Sequence, residues 1–444
     1  MFGTQHRGRL ALTTAAMIGA GALILTGCAG GGSTSTGDPY AAPADADGPF
    51  GKFEGENLVL SRWAGDPWTA GQQEAADAWN TATGGNLTLD AIPYENLHDK
   101  QALTLGSGSD FDIVYVHPSW FGEYASAGYL APIDEYLADA KRNPEGFSAA
   151  SYLPSVLEQG NYEGVQYCVQ DFVSTIVVAY RTDLFEAAGI AAPETVDDVL
   201  AAAAKLDGVD GISGIVMPAK RTGAVSDVVG SLLTAQDNWW YDADGVGSLD
   251  DAAAEAAVDF YVEAAKYAPE GLLDMAVDEA ATAAAQGQAA IVVNTTPALA
   301  SLENPEKSST VGQWGYVPLA YDASNPSGEL IYWNWCIAAN SEHKDAAYSF
   351  LQYYTSAAQQ AKVAVAANTL GATEDFYTNE DVLAKLPFLP AVNAALQNAN
   401  PQPSLADWPK IQDIIETAVQ DAVIGNKTSA EAVAAMQDAL ATLK

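Results

Sequence analysis

No stretch limits the fold more than Tyr162 to Phe185, YEGVQYCVQDFVSTIVVAYRTDLF. Its centre, Phe172 to Tyr180, is a β-branched and aromatic run too short to span a membrane. Asp183 to Gly189 behind it reads as a helical turn closed by glycine. A buried strand therefore passes straight into a short helix. A chain of 444 residues, 49% hydrophobic and 17% charged, has apolar mass enough for two packed lobes built from such units.

The N-terminus is of another kind. Met1 to Leu10 carries Arg7 and Arg9 without an acid, and Ala11 to Thr26 is an apolar run shorter than the ~20 residues of a membrane helix. This pattern predicts an export signal over residues 1–27. Its end, Leu25-Thr26-Gly27-Cys28, is similar to the lipobox of bacterial lipoproteins, which implies cleavage before Cys28 and acylation of its thiol. Residues 28–53, rich in Gly, Ser, Pro and Ala, read as a flexible tether with a reach of about 25 Å. Losing the signal removes two Arg and no acid, which takes the formal charge from −38 to −40. Such a surface repels nucleic acid and anionic lipid, and keeps an Ala-rich protein in solution.

Along the chain, strands alternate with helices. Asn57 to Trp63 alternates as a first strand, and AGDPWTAGQQEAADAWN turns into an amphipathic helix. Leu87 to Ile92 is a second strand, followed by a helix from Tyr94 to Leu105. Then comes FDIVYVHPSWFGEYASAGYLAPIDEYL, a strand with Asp and aliphatics, a polar and aromatic tip, a helix with Ala and Gly, and a closing Leu-x-Pro-Ile-Asp. Together with the Ala-Tyr-Arg-Thr-Asp-Leu-Phe crossover and the later HKDAAYSFLQYYTSAAQQAKVA, this order resembles the family 1 extracellular solute-binding proteins, the carbohydrate receptors of bacterial ABC importers. The likeness runs over nearly the whole mature chain.

The resemblance implies a two-lobed periplasmic-binding-protein fold of α/β class, type II-like, with three hinge crossovers and a ligand cleft between the lobes. Lobe 1 is expected over 54–168 and 337–368, and lobe 2 over 172–334 and 372–444. Cys168 and Cys336 fall in segments that resemble hinge strands lying side by side, so a disulfide or two buried thiols is expected there. Ile331 to Ala339 resembles the second hinge strand, but Trp333 and Trp335 stand where the family usually has small residues.

Open α/β sheets bind ligands beyond the carboxyl ends of their strands, which nominates His117, Ser119 and Trp120. The family's first strand ends in a Gly-Asp that reaches sugar, and Gly65-Asp66 stands there beside Trp63. Asp171 lies on the crossover. Trp239 and Trp240 are adjacent indoles in a region where relatives hold a sugar-facing aromatic. Asn294 opens a helix after a strand, and Trp408 matches the position whose ring stacks on sugar in the maltodextrin receptors. With Trp333 and Trp335 these form the expected carbohydrate site, since aromatic faces suit a pyranose and Asp, Asn and His fix its hydroxyls. Each tryptophan can equally be core filling.

His6, His98 and His343 stand at no ligand spacing from His117, so no metal is expected. Asp242, Asp244, Gly245 and Asp251 follow calcium-loop offsets, but Trp240 stands at the first ligand position and the last lacks Glu; a plain Asp-Gly turn reads better. No GxSxG, HExxH, CxxC, P-loop or dinucleotide fingerprint occurs, and no cofactor is expected. The sequence thus points to a monomeric receptor, lipid-anchored on the outer face of the cytoplasmic membrane, that passes a carbohydrate, an oligosaccharide by preference, to ABC permease subunits. A surface-anchored glycan-processing enzyme or lectin, or a receptor for a polyamine, is the alternative.

Overall fold

The computed structural model describes residues 50–442 apart from 65–67, 109, 144–151, 243–245, 368–369 and 406–407. Cys28, the tether up to residue 49, Asp66 and the Asp244-Gly245 turn lie outside the described residues. All described residues belong to one compact unit, Pro39–Lys444.

Two sheets carry the architecture. The first has the order Asn400–Pro401, Glu329–Ile337, Ile113–Val116, Asn57–Trp63, Asn86–Ile92, with Cys168–Ser174 also paired to Glu329–Ile337. Asn57–Trp63 runs parallel to both its neighbours, while Glu329–Ile337 returns antiparallel to Ile113–Val116 and to Cys168–Ser174. The second has the order Trp314–Pro318, Ile176–Arg181, Ala289–Thr295, Ser213–Val216, with only the last pair parallel. Ala289–Thr295 is buried on both faces as far as Asn294, as its apolar run AAIVV demands, and opens only at Thr295.

The run Phe172 to Tyr180 is two strands rather than one. Cys168–Ser174 belongs to the first sheet and Ile176–Arg181 to the second, so Thr175 alone makes the first crossing. The second crossing lies between Pro318 and Glu329. All of Cys168–Ser174 and all of Glu329–Ile337 therefore sit in the first sheet, beyond the lobe boundaries drawn at 168 to 172 and 334 to 337. A small residue does serve the second crossing, but it is Gly328: a Cβ there would come within 2.7 Å of Thr175 Oγ1. The third pass runs beside the first, where Leu370 bridges Val173 and Leu153 N–H donates to Ala372 O. Cys168 and Cys336, opposite each other in register and fully buried, are joined as a disulfide.

Local chemistry explains the element ends. Glu163 and Gly164 both take positive φ, the geometry a two-residue hairpin turn requires between Asn161–Tyr162 and Val165–Gln166. Helix Val196–Leu206 starts with a capping box: Thr195 Oγ1 accepts from Asp198 N–H, and Asp198 Oδ2 accepts from Thr195 N–H at 3.0 Å. The helices Val196–Leu206, Ala224–Thr234, Asp251–Ala264, Trp408–Val423 and Ser429–Leu440 bury their apolar faces in one core with the second sheet. A second core is centred on the first sheet and its helices. Among the described residues no helix is long and apolar enough to cross a membrane.

Candidate functional site: the cleft between the sheets

A cleft of about 880 Å³ opens beyond the carboxyl ends of the parallel strands Asn57–Trp63 and Ile113–Val116. The first sheet supplies one wall through Trp63, Tyr94, Tyr115, His117 and Trp333. The second wall comes from the start of helix Ala224–Thr234, helix Val277–Ala285, the turn after Ala289–Thr295, and Gln402 and Gln412. Ser174, at the first crossing, lies on the floor.

Trp333 is the hub of the aromatic wall. Its ring stacks on Tyr115 at 4.8 Å and 24°, and meets His117 edge-on at 5.0 Å and Trp120 edge-on at 6.1 Å. Trp63 and Tyr94 complete the cluster at 6.1 and 6.2 Å. Such interlocked rings hold one another in orientation and present an apolar, polarisable surface. His117 adds a polar point. Burial lowers its pKa to about 3, so the ring is neutral. Ser119 N–H donates to its Nδ1, capping helix Pro118–Ser126, and this places the imidazole proton on Nε2 as a donor.

Asp171 and Trp120 stand behind this wall rather than on the cleft. Asp171 lies within the first sheet's strand, 8% exposed; burial pushes its carboxyl up to about 7, opposed by Trp335, Tyr115 and Arg62 around it. Its charge in turn raises the Tyr115 phenol, after burial, so it supports the ring on which Trp333 rests. Trp120 is stacked against Tyr94 at 5.9 Å and is 8% exposed.

Several expected residues are elsewhere. Trp408 is 1% exposed and packs on the equally buried Trp240 at 5.5 Å in the core of the second sheet's helices. Trp239 lies beside Trp240 and Tyr241, away from the cleft lining. Trp335 shares a strand face with Trp333 and touches the same Tyr115 ring at 5.0 Å, but it lies one step deeper from the cleft end, fully buried against Tyr354 and Phe350. Asn294 spends its amide internally: Nδ2 donates to Val277 O at 2.9 Å and Oδ1 accepts from Thr295 N–H at 2.8 Å. It positions Thr295 and Val277, which do line the cleft.

Sequence reasoning passed over Tyr94, Tyr115, Asp227, Gln402 and Gln412, all on the lining. One signal was available: Asp227 is the only acid in the apolar helix AVSDVVGSLLT, and a lone acid on a buried face needs a reason. Gln402, in NPQPS, carries no comparable mark.

Comparison with known proteins agrees with this architecture. The family pattern described as bacterial extracellular solute-binding protein matches residues 66–361. A mannitol-binding protein of Pseudomonas aeruginosa is 26% identical over 330 residues, 72% of this chain and 74% of that protein. Among solved structures, an ABC transporter solute-binding protein of Agrobacterium radiobacter K84 in complex with ribitol superposes with a TM-score of 0.76 at 25% identity, covering 88% of this chain and 99% of that one. The maltose-bound MalE3 of T. maritima shares the fold, with a TM-score of 0.76 at 22% identity over 86% and 98% of the two chains.

Proposed function

Because the chain belongs to the bacterial extracellular solute-binding proteins, whose pattern covers more than half of it, we propose that it captures a sugar or polyol in the cleft and delivers it to the membrane permease of an ABC importer. As a member of that family it binds its cargo without chemical change. The observation that carries the reading is the facing of two unlike walls: interlocked rings around Trp333 on one side, and Asp227, Thr282, Thr295, Ser301 and Gln402 on the other. A carbohydrate has matching faces, a flat array of C–H bonds and a rim of hydroxyls. Mannitol, ribitol and maltose, bound by the similar proteins, are the first candidates.

We further propose that the protein is a lipoprotein, held on the outer face of the cytoplasmic membrane by Cys28 and tethered through residues 28–53. Support comes from Arg7 and Arg9, the apolar run behind them, and Leu25-Thr26-Gly27-Cys28. Trp63, His117 and Trp333 are the ligand contacts we retain from the sequence, joined by Tyr94, Tyr115 and Asp227. A thermal-shift screen of sugars and polyols followed by calorimetry tests this. Saturable 1:1 binding without product is expected, weakened about tenfold or more in Trp333→Ala. A hit that this change leaves undiminished removes the aromatic wall from the site.

A further inference from the structure

The corner of the cleft around Asp227 carries a surplus of buried negative and acceptor groups. Asp227, 8% exposed, projects from the first turn of helix Ala224–Thr234 onto the lining, and its Oδ1 accepts from Gln402 Nε2 at 2.9 Å. Gln402 is itself 4% exposed and also borders the cleft. Having donated to Asp227, it leaves its own Oε1 buried without a partner. Behind them lie Glu416, 3% exposed, which accepts from Gly223 N–H at 2.8 Å, and Glu329, 1% exposed, whose Oε2 has no partner. Glu329 is packed so closely under the helix that a Cβ on Gly230 would lie 2.1 Å from it. Among the described residues no lysine, arginine or histidine pairs with any of the three. Lys307, the one lysine on the lining, is exposed.

A buried carboxylate without a counter-charge takes up a proton instead. Burial and then the Glu416 charge push Asp227 up to about 8, burial pushes Glu416 up to about 7, and burial and then Asp227 raise Glu329 well above the usual range. The phenols that face Asp227 rise as well: Tyr94 on the opposite wall, to about 12, by burial first and then the Asp227 charge, and Tyr261 from helix Asp251–Ala264, by burial first and then the charges of Glu416 and Asp227. What this corner lacks is a donor-rich positive group. A hydroxyl donates once and brings no charge, whereas an ammonium offers three donors, lets Asp227 ionise, and can lie against the Tyr94 ring across the cleft.

We propose that this corner is a seat for an ammonium group held by Asp227 and Gln402 Oε1, so that the solute is an amino sugar or amino polyol; this rests on the sugar reading above. Binding then releases a proton below about pH 8, and affinity rises with pH until the ligand's own amine loses its charge.

The test is calorimetric titration of the protein at pH 7 with matched pairs: glucosamine against glucose and N-acetylglucosamine, and 1-amino-1-deoxysorbitol against sorbitol. The amine of at least one pair is expected to bind about tenfold or more tightly than its neutral partner. Its heats should differ between buffers of different ionisation enthalpy, reporting the released proton. In Asp227→Asn the advantage should collapse to about twofold or less. The wild-type pair comparison and the buffer heats decide the matter even if that variant fails to fold. Neutral sugars that bind as well as or better than their amines overturn the ammonium seat and leave the sugar reading standing. Putrescine binding more tightly than every amino sugar also overturns it. If no sugar or polyol binds, charged or neutral, both readings fall.

Discussion

Trp333 and Trp408 are both buried, at 9% and 1% exposure, yet only Trp333 borders the cleft. Trp333 is ringed by aromatic residues whose other edges face the opening, so a ligand extends a stack already formed. Trp408 is enclosed by Trp240 and the apolar faces of its neighbouring helices, where no sugar can reach it. Trp408→Ala is therefore expected to destabilise the fold by about 3–5 kcal/mol, the usual cost of emptying a core indole, and to leave ligand affinity unchanged in the fraction that folds. Denaturant unfolding with calorimetry on the same variant checks it; a lost affinity with unchanged stability would return Trp408 to the site. The local sequence could not separate these two indoles, because Trp333, in IYWNWC, and Trp408, in LADWPK, both stand among mixed polar and apolar neighbours. Trp63 and His117 were legible because each ends a strand, where the topology of open sheets puts ligands. Asp227 and Gln402 were not, since their placement depends on how helix Ala224–Thr234 and the segment after Pro401 meet across 175 residues of chain.

At the scale of elements, the strand Glu329–Ile337 organises the cleft side of the first sheet. It pairs with Asn400–Pro401, Ile113–Val116 and Cys168–Ser174, and carries both Trp333 and Cys336. The disulfide from Cys336 to Cys168 ties two paired strands of the first sheet together at their ends remote from the crossings, so it braces the sheet and leaves the turns at Thr175 and Gly328 unconstrained. It closes a separation of 168 residues, which the chain-entropy account converts to ~5 kcal/mol. The double change Cys168→Ala with Cys336→Ala is expected to lower stability by roughly that amount while ligand binding survives. Alkylation of the unreduced, denatured protein should modify neither residue. Both thiols labelling freely, or a double variant as stable as the parent, would contradict it. The strand character of Phe172 to Tyr180 was plain from its β-branched run; its division between two sheets was not, because Thr175 at the break is itself a strand-favouring residue and only the pairing partners reveal the break.

For the whole molecule, two α/β halves and the site between them follow from the order of strands and helices, and that order was readable from periodicity together with the family likeness. The lobe boundaries were less so, since the hinge strands are as apolar as the cores they join. With one wall on each sheet, a ligand that touches both favours approach of the walls by its differential affinity for the closed arrangement. A dissociation constant near 1 μM, about −8 kcal/mol, is ample to shift such a balance. Small-angle X-ray scattering, with and without a saturating saccharide that calorimetry has shown to bind, tests this most directly. The account predicts a smaller radius of gyration in the bound state, reached in Trp333→Ala only at about tenfold or more higher ligand concentration. Superimposable profiles for the free and saturated protein would contradict it.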